Sequence, residues 1–260
     1  MEYREVTPEP PLDRFVKCFW TLRAERAGDE RIVPDGRGEL IISVGDPVRD
    51  LETDRWQPDV MLAGQLTGAM RIAPGGAVDL VGVRFRPAGM RSFFGAPMRE
   101  LTDRRVAVDD VDRRLGRELR GASVARAHRV LLDRLRPARG DAEAAVAAIG
   151  ATHGLATIDT ITARTGIHPR RLERLFRDEV GLTPKQLARI ARFQRVFRMV
   201  ESTERLDWAG AALACGYADQ SHLIREFRRL AGLTPDRYFK TEHPLADLLT
   251  GVSDSSNPAA

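Results

Sequence analysis

Two stretches of this 260-residue chain set arginine, glutamine, glutamate and histidine side chains beside an apolar stripe of helical spacing. In the first, Leu172, Leu175 and Phe176 recur at i, i+3 and i+4, which turns Arg170, Arg171, Glu173, Arg174 and Arg177 outward. In the second, Leu223, Phe227 and Leu230 form the stripe, and Gln220, Ser221, His222, Arg225, Arg228 and Arg229 face out. Faces of this kind recognise base edges and phosphates rather than make bonds. Arginine pairs in bidentate fashion with guanine O6 and N7, glutamine with adenine N6 and N7, and glutamate accepts from cytosine N4. Arginines beyond the reach of a base neutralise phosphate and set register.

Bond-making chemistry has little to work with. All five histidines (His128, His153, His168, His222, His243) follow residue 127, so a two-histidine, one-carboxylate metal site cannot form in the first half. The two cysteines, Cys18 and Cys215, sit among apolar neighbours and read as small buried hydrophobes. No GxSxG, P-loop or GxGxxG pattern occurs, and no cofactor is expected.

The elements that position the two polar faces come from a duplication. RLFRDEVGLTP at residues 174–184 and REFRRLAGLTP at 225–235 share Arg, Phe, Arg and then Gly-Leu-Thr-Pro at an offset of 51 residues, two copies of one helical module. In the first copy Gly166 closes a short helix holding Ile158 and Ile161, and Pro169 takes the first position of the next. In the second, Gly216 ends a helix over residues 208–215 and Asp219 is an N-cap. A helix, a glycine-bearing turn and a helix with a basic outer face make a helix-turn-helix. Between the copies, LTPKQLARIARFQRVFRMV reads as one helix after Pro184, with Leu187, Ile190, Phe193, Phe197 and Val200 inward and Arg189, Arg192, Arg195 and Arg198 punctuating it. About 16 residues span roughly 24 Å, and with flanking turns this brings two recognition helices near the roughly 34 Å between successive major grooves.

Charge agrees with that footprint. The net charge is +4, yet residues 160–240 hold 16 basic and 9 acidic residues, so the basic surplus lies entirely in that segment.

On RRLERLFRDEVGLTPKQLARIARFQRV and GYADQSHLIREFRRLAGLTPDRYF, residues 150–240 resemble the DNA-binding domain of the AraC/XylS family of bacterial regulators. The resemblance implies base contacts from Arg170, Glu173 and Arg174 in the first unit and Gln220, Ser221, His222 and Arg225 in the second. Arg192, Arg195, Arg228 and Arg229 are the expected phosphate contacts. His168 stands where the family usually has a serine cap, a departure expected to alter the start of the first recognition helix.

The first half has a different period. ELIISVG, DVMLAG, MRIA and VDLVGVRF, from Glu39 to Phe85, read as short strands between turn signals, and MRIAPGGAVDLVGVRF predicts a hairpin turning at Pro74, Gly75 and Gly76. GDP at 45–47 is a further turn. In VGVRFRP, alternation places Arg84 and Arg86 on one face, most simply the solvated one, although an arginine there could also pair with a carboxylate ligand. Residues 109–135 then carry Val111, Leu115, Leu119, Val130, Leu131 and Leu135 at helical spacing, as core or as a dimer interface. IVPDGRGELIISVGDP and VDLVGVRFRPAGMRSFFGAP resemble the sensing domain of a poorly characterised subgroup of the same family.

The expected fold is therefore α+β: a small, cupin-like β barrel or sandwich with a helical segment over residues 1–138, a hinge at RPARGD (136–141), an all-α domain of two helix-turn-helix units joined by a helix over 141–240, and a disordered tail over 241–260. The expected function is sequence-specific, DNA-binding transcriptional regulation without catalysis. Expected partners are double-stranded operator DNA, RNA polymerase, a small-molecule effector of the first half and a second copy in a homodimer. The start lacks a basic-then-apolar signal pattern and no apolar run spans a bilayer, so the expected location is cytoplasmic and off the membrane. The alternatives are a first half that only dimerises, without a ligand, and an enzyme domain fused to a DNA reader; the repair enzymes of that kind need four zinc-binding cysteines where this first half has Cys18 alone.

Overall fold

The computed structural model describes residues 1–136, 142–201 and 207–241. Ten strands come first: β1 (Glu2–Val6), β2 (Val16–Ala24), β3 (Glu30–Ile32), β4 (Glu39–Ser43), β5 (Val48–Asp50), β6 (Arg55–Trp56), β7 (Val60–Ala63), β8 (Met70–Pro74), β9 (Val78–Phe85) and β10 (Arg105–Ala107). They form two antiparallel sheets, one ordered β1-β2-β9-β4-β7-β10 and one ordered β3-β8-β5-β6. The first half is thus an open sandwich rather than a barrel.

The structure revises the strand reading in two places. The longest strand is β2, which precedes the expected run; VKCFWTLRA alternates, with Val16, Cys18, Trp20, Leu22 and Ala24 buried on one face and Phe19 the buried residue among Lys17, Thr21 and Arg23 on the other. Its neighbour β9 is buried on both faces along nearly its whole length. The expected hairpin at residues 70–85 is not formed, since β8 belongs to the small sheet and β9 to the large one. Between them the chain is held by the 45–47 turn: Gly75 N donates to Pro47 O (2.8 Å) and Ala77 N to the Asp46 carboxylate (2.7 Å). That clamp makes Pro-Gly-Gly a crossing between sheets.

Phe19 of β2, Leu40 and Ile42 of β4 and Val81, Val83 and Phe85 of β9 face a helical layer, α1 (Val108–Val111), α2 (Arg113–Leu119) and α3 (Val124–Arg134), and pack with Leu115, Leu119 and Leu131. The opposite face carries Trp20, Leu22 and Leu80. Gly82 is required there, because a Cβ on it would lie 1.9 Å from the Trp20 ring.

Arg84 shares that inner face and is fully buried, so the solvated reading of its strand position is wrong. Its Nε donates to Glu39 (2.8 Å) of the adjacent β4 and its Nη1 to Glu5 (3.2 Å) of β1, two strands away. Burial pushes the Glu39 carboxyl up and Arg84 pulls it back, while the surrounding negative charges hold the Arg84 guanidinium firmly protonated. Arg84 thus spends its guanidinium on two carboxylates of its own sheet. Arg86 lies past the end of β9, exposed, with its Nε on the Asp13 carbonyl (2.9 Å).

The second half is helical: α4 (Glu143–Ala151), α5 (Ile158–Thr165), α6 (Pro169–Glu179), α7 (Pro184–Glu201), α8 (Trp208–Ala214), α9 (Gln220–Ala231) and α10 (Pro235–Tyr238). The core is an aromatic cluster in which Phe193 and Phe197 of α7 meet Phe227 of α9 at 5.0 and 5.7 Å between ring centroids. Both cysteines are free and buried, and burial pushes the Cys18 thiol up to about 12 and the Cys215 thiol upward as well. No helix among the described residues is long and apolar enough to cross a membrane. The expected hinge (from residue 137) and tail (from residue 242) lie outside the described residues.

Candidate nucleic-acid interface

Each recognition helix is built by local signals. In the first unit, Gly166 ends α5 in the left-handed conformation (φ 68°), Pro169 opens α6, and His168 caps it through Nδ1, which accepts from Arg170 N at 3.4 Å. Histidine therefore performs the serine's task with a longer bond. In the second, Gly216 turns the chain at φ 77° and the Asp219 carboxylate accepts from His222 N at 2.7 Å, capping α9. Leu172 and Phe176 bury one side of α6, and Leu223, Phe227 and Leu230 one side of α9.

The opposite faces are open. Arg170, Glu173, Arg174 and Arg177 on α6 are exposed, as are Gln220, Ser221, Arg225, Arg228 and Arg229 on α9. Arg174 and Arg225 are each the sixth residue of their helix.

Two expected DNA contacts have other work. His222 is half-buried, packs edge-on against Tyr217 (5.4 Å) and accepts from Ala218 N through Nδ1 (3.3 Å), so its ring braces the turn before α9. Arg192 is half-buried on α7, with its guanidinium carbon 5.7 Å from the Tyr217 ring centroid and Nη1 3.4 Å from Gly216 O. It ties the joining helix to the second turn. Sequence reasoning also passed over Arg189, whose Nε donates to Glu226 (2.7 Å) and fixes α9 against α7. The signal was an arginine and a glutamate on the half-buried flanks of their helices. Arg195 is half-buried and Arg228 and Arg229 are exposed.

The joining helix, 18 residues and roughly 27 Å long, sits between the units. The first half grips the module from behind. The 3-10 turns Met90–Ser92 and Met98–Glu100 pack on α6, Arg99 pairs with Asp178, and Thr102 Oγ1 donates to Gly181 O. Arg31 Nη1 donates to Ala231 O (3.3 Å) at the last turn of α9, and Gln194 Nε2 donates to Pro34 O (2.6 Å). Val33 is buried in the helical core itself. Both recognition helices are thus held near their C-terminal ends, and their polar faces remain free. Among the described residues, no three His, Cys, Asp or Glu side chains are grouped to hold a metal.

Comparison with known proteins matches residues 161–241 to a helix-turn-helix domain family and residues 4–107 to a domain family of unknown function. The HTH-type transcriptional regulator Rv1931c of Mycobacterium tuberculosis is 33% identical over 91 residues, a match spanning 35% of this chain and 35% of that protein. Among solved structures, a probable AraC family transcriptional regulator from Rhodopseudomonas palustris is 25% identical, covering 39% of this chain and 95% of that one with a TM-score of 0.36. ToxT from Vibrio cholerae is 9% identical, covering 85% of this chain and 98% of that one with a TM-score of 0.48.

Proposed function

We propose that this chain, a member of the AraC family by its C-terminal helix-turn-helix domain, is a sequence-specific transcriptional regulator that reads two adjacent major-groove segments of double-stranded DNA. The observation that carries the reading is the pair of recognition helices, equivalent in the repeat, joined by one helix and turning unobstructed arginine-rich faces outward. Base readers are Arg170, Glu173 and Arg174 on α6 and Gln220, Ser221 and Arg225 on α9; Arg195, Arg228 and Arg229 contact phosphate.

Control comes from the first half. It touches both recognition helices through separate contacts, so a ligand that prefers one arrangement of the two halves shifts the population competent for DNA. On this reading the protein works in the cytoplasm without catalysis, and RNA polymerase at the promoter is a further partner. A homodimer would have to form elsewhere than on Leu115, Leu119 and Leu131, which are spent in the protein's own core.

The test is selection of sites from a random DNA pool by the purified full-length protein at near-physiological salt. The expected result is a site spanning two successive major-groove segments, bound about a thousandfold more tightly than scrambled DNA. Equal affinity for selected and scrambled DNA would overturn the reading.

A further inference from the structure

The two recognition helices are attached to the joining helix by different means. Helix α6 runs into α7 through the turn at residues 181–183, where Thr183 N donates to Gln186 Oε1 (2.8 Å) and Gln186 N donates to Thr183 Oγ1 (3.2 Å). That reciprocal capping box fixes the first unit to α7 locally. Helix α9 is held instead by α7 side chains distant from it in sequence.

Two arginines make the polar part of that hold. Arg189 and Arg192 lie three residues apart and so share one face of α7. Arg192 Nη1 reaches Gly216 O in the turn before α9 (3.4 Å), and Arg189 Nε donates to Glu226 Oε2 in the middle of α9 (2.7 Å). Contacts at the entry and at the centre of one helix fix its direction as well as its distance. The aromatic packing behind them is less exacting, since the Phe193 and Phe227 rings, 5.0 Å between centroids, can slide and stay in contact. A hydrogen bond of this kind weakens once its atoms part beyond about 3.2 Å, so the Arg189–Glu226 bond allows well under an ångström of slip. One base pair along DNA is a rise of about 3.4 Å and a rotation of roughly 35°. The clasp is therefore finer than the smallest change in spacing between the two DNA segments, or half-sites, that the helices read.

Stability is a weak reason for such a pair. The two side chains are only 15% and 20% exposed, and a buried ion pair recovers little beyond its desolvation cost. Arg189 Nη2 is also buried with no hydrogen-bond partner among the described residues. An apolar pair of similar volume would hold the helices together as well; what the ion pair adds is register. Glu226 directly follows Arg225, so the rotation it fixes is the one that aims a base-reading arginine.

We propose that Arg189 and Glu226 are positioning residues that set the spacing at which the two half-sites must lie, so that the protein selects DNA by the number of base pairs between half-sites as well as by their bases. The inference rests on the DNA-reading function proposed above.

The experiment is competition binding by the full-length protein to the selected site and to the same site with one base pair inserted or removed between its half-sites. The wild type is expected to bind both altered duplexes at least about tenfold more weakly, because one half-site is put out of register. Glu226→Gln, which keeps the side chain's size and removes its charge, and Arg189→Met should each bind all three duplexes within about threefold of one another. Single-base changes in the α6 half-site should cost these variants what they cost the wild type, and the double variant should match either single one, since all three remove the same interaction. Variants that keep the wild-type spacing penalty, that lose base preference in the α6 half-site as well, or whose effects add in the double variant would each overturn the proposal. A protein that selects no site refutes the DNA-reading function itself; one that selects a site yet binds it alike at all three spacings refutes this inference alone.

Discussion

Arg174 and Arg225 sit at the same place in two copies of one unit, exposed, and each is positioned by a capped helix start. Alanine at either position should cost about 1–3 kcal/mol on the selected site and relax preference at the base it reads, measured by competition against single-base variants. Arg228→Ala should weaken all DNA alike and lower the salt slope by about one, with no change in melting temperature. Arg192→Ala should do the reverse and lower the melting temperature, because it removes the contact with Tyr217 and the bond to Gly216 O. Arg84→Ala should destabilise the fold by about 3–5 kcal/mol in chemical unfolding, since Glu39 is left buried beside a lost charge. At this scale the sequence exposes the outer faces of α6 and α9, which follow from helical spacing alone. It hides Arg84, because strand alternation says which residues share a face and not which face meets the second sheet.

Helices here are legible through their ends. Gly166, Pro169, Pro184, Gly216 and Asp219 are turn or capping residues whose backbone demands are local, and each does in the structure what its type implies. Strands are less so: β9 is covered on both faces and loses the alternation that marks a strand, and the 74–77 crossing depends on Asp46, far away in sequence. One cap makes a pH-dependent prediction. The Asp112 carboxylate accepts from Arg114 N and Leu115 N at the start of α2 and pairs with Arg134 of α3, and the Leu115 bond foremost, then Arg134, holds its pKa below the usual carboxylate range. A depressed folded-state pKa contributes stability above the unfolded value of about 3.9 and loses it as pH falls through the folded value. Asp112→Ala should therefore cost about 1 kcal/mol in urea unfolding at pH 7, and the difference should shrink as the pH is lowered from 4.

The two halves share more than a seam. Arg14–Glu143, Arg99–Asp178, Gln194 to Pro34 and Arg31 to Ala231 bridge them at four places, and none of these pairs was visible in sequence because each joins residues 79 to 200 positions apart. Val33 goes further and packs with the aromatic cluster of the helical half. Val33→Ala, a change in the first half, should destabilise the second by about 2 kcal/mol and raise amide exchange in α7. Exchange raised only in the sandwich strands would refute that coupling. The feature bears on how such proteins can be recombined. A DNA reader cut away from this sandwich carries a socket the width of one valine, and a sensor grafted onto it must bring a side chain of matching shape. Modules joined only by their linker would leave that socket empty, so sensor and reader are interchangeable only as a fitted pair.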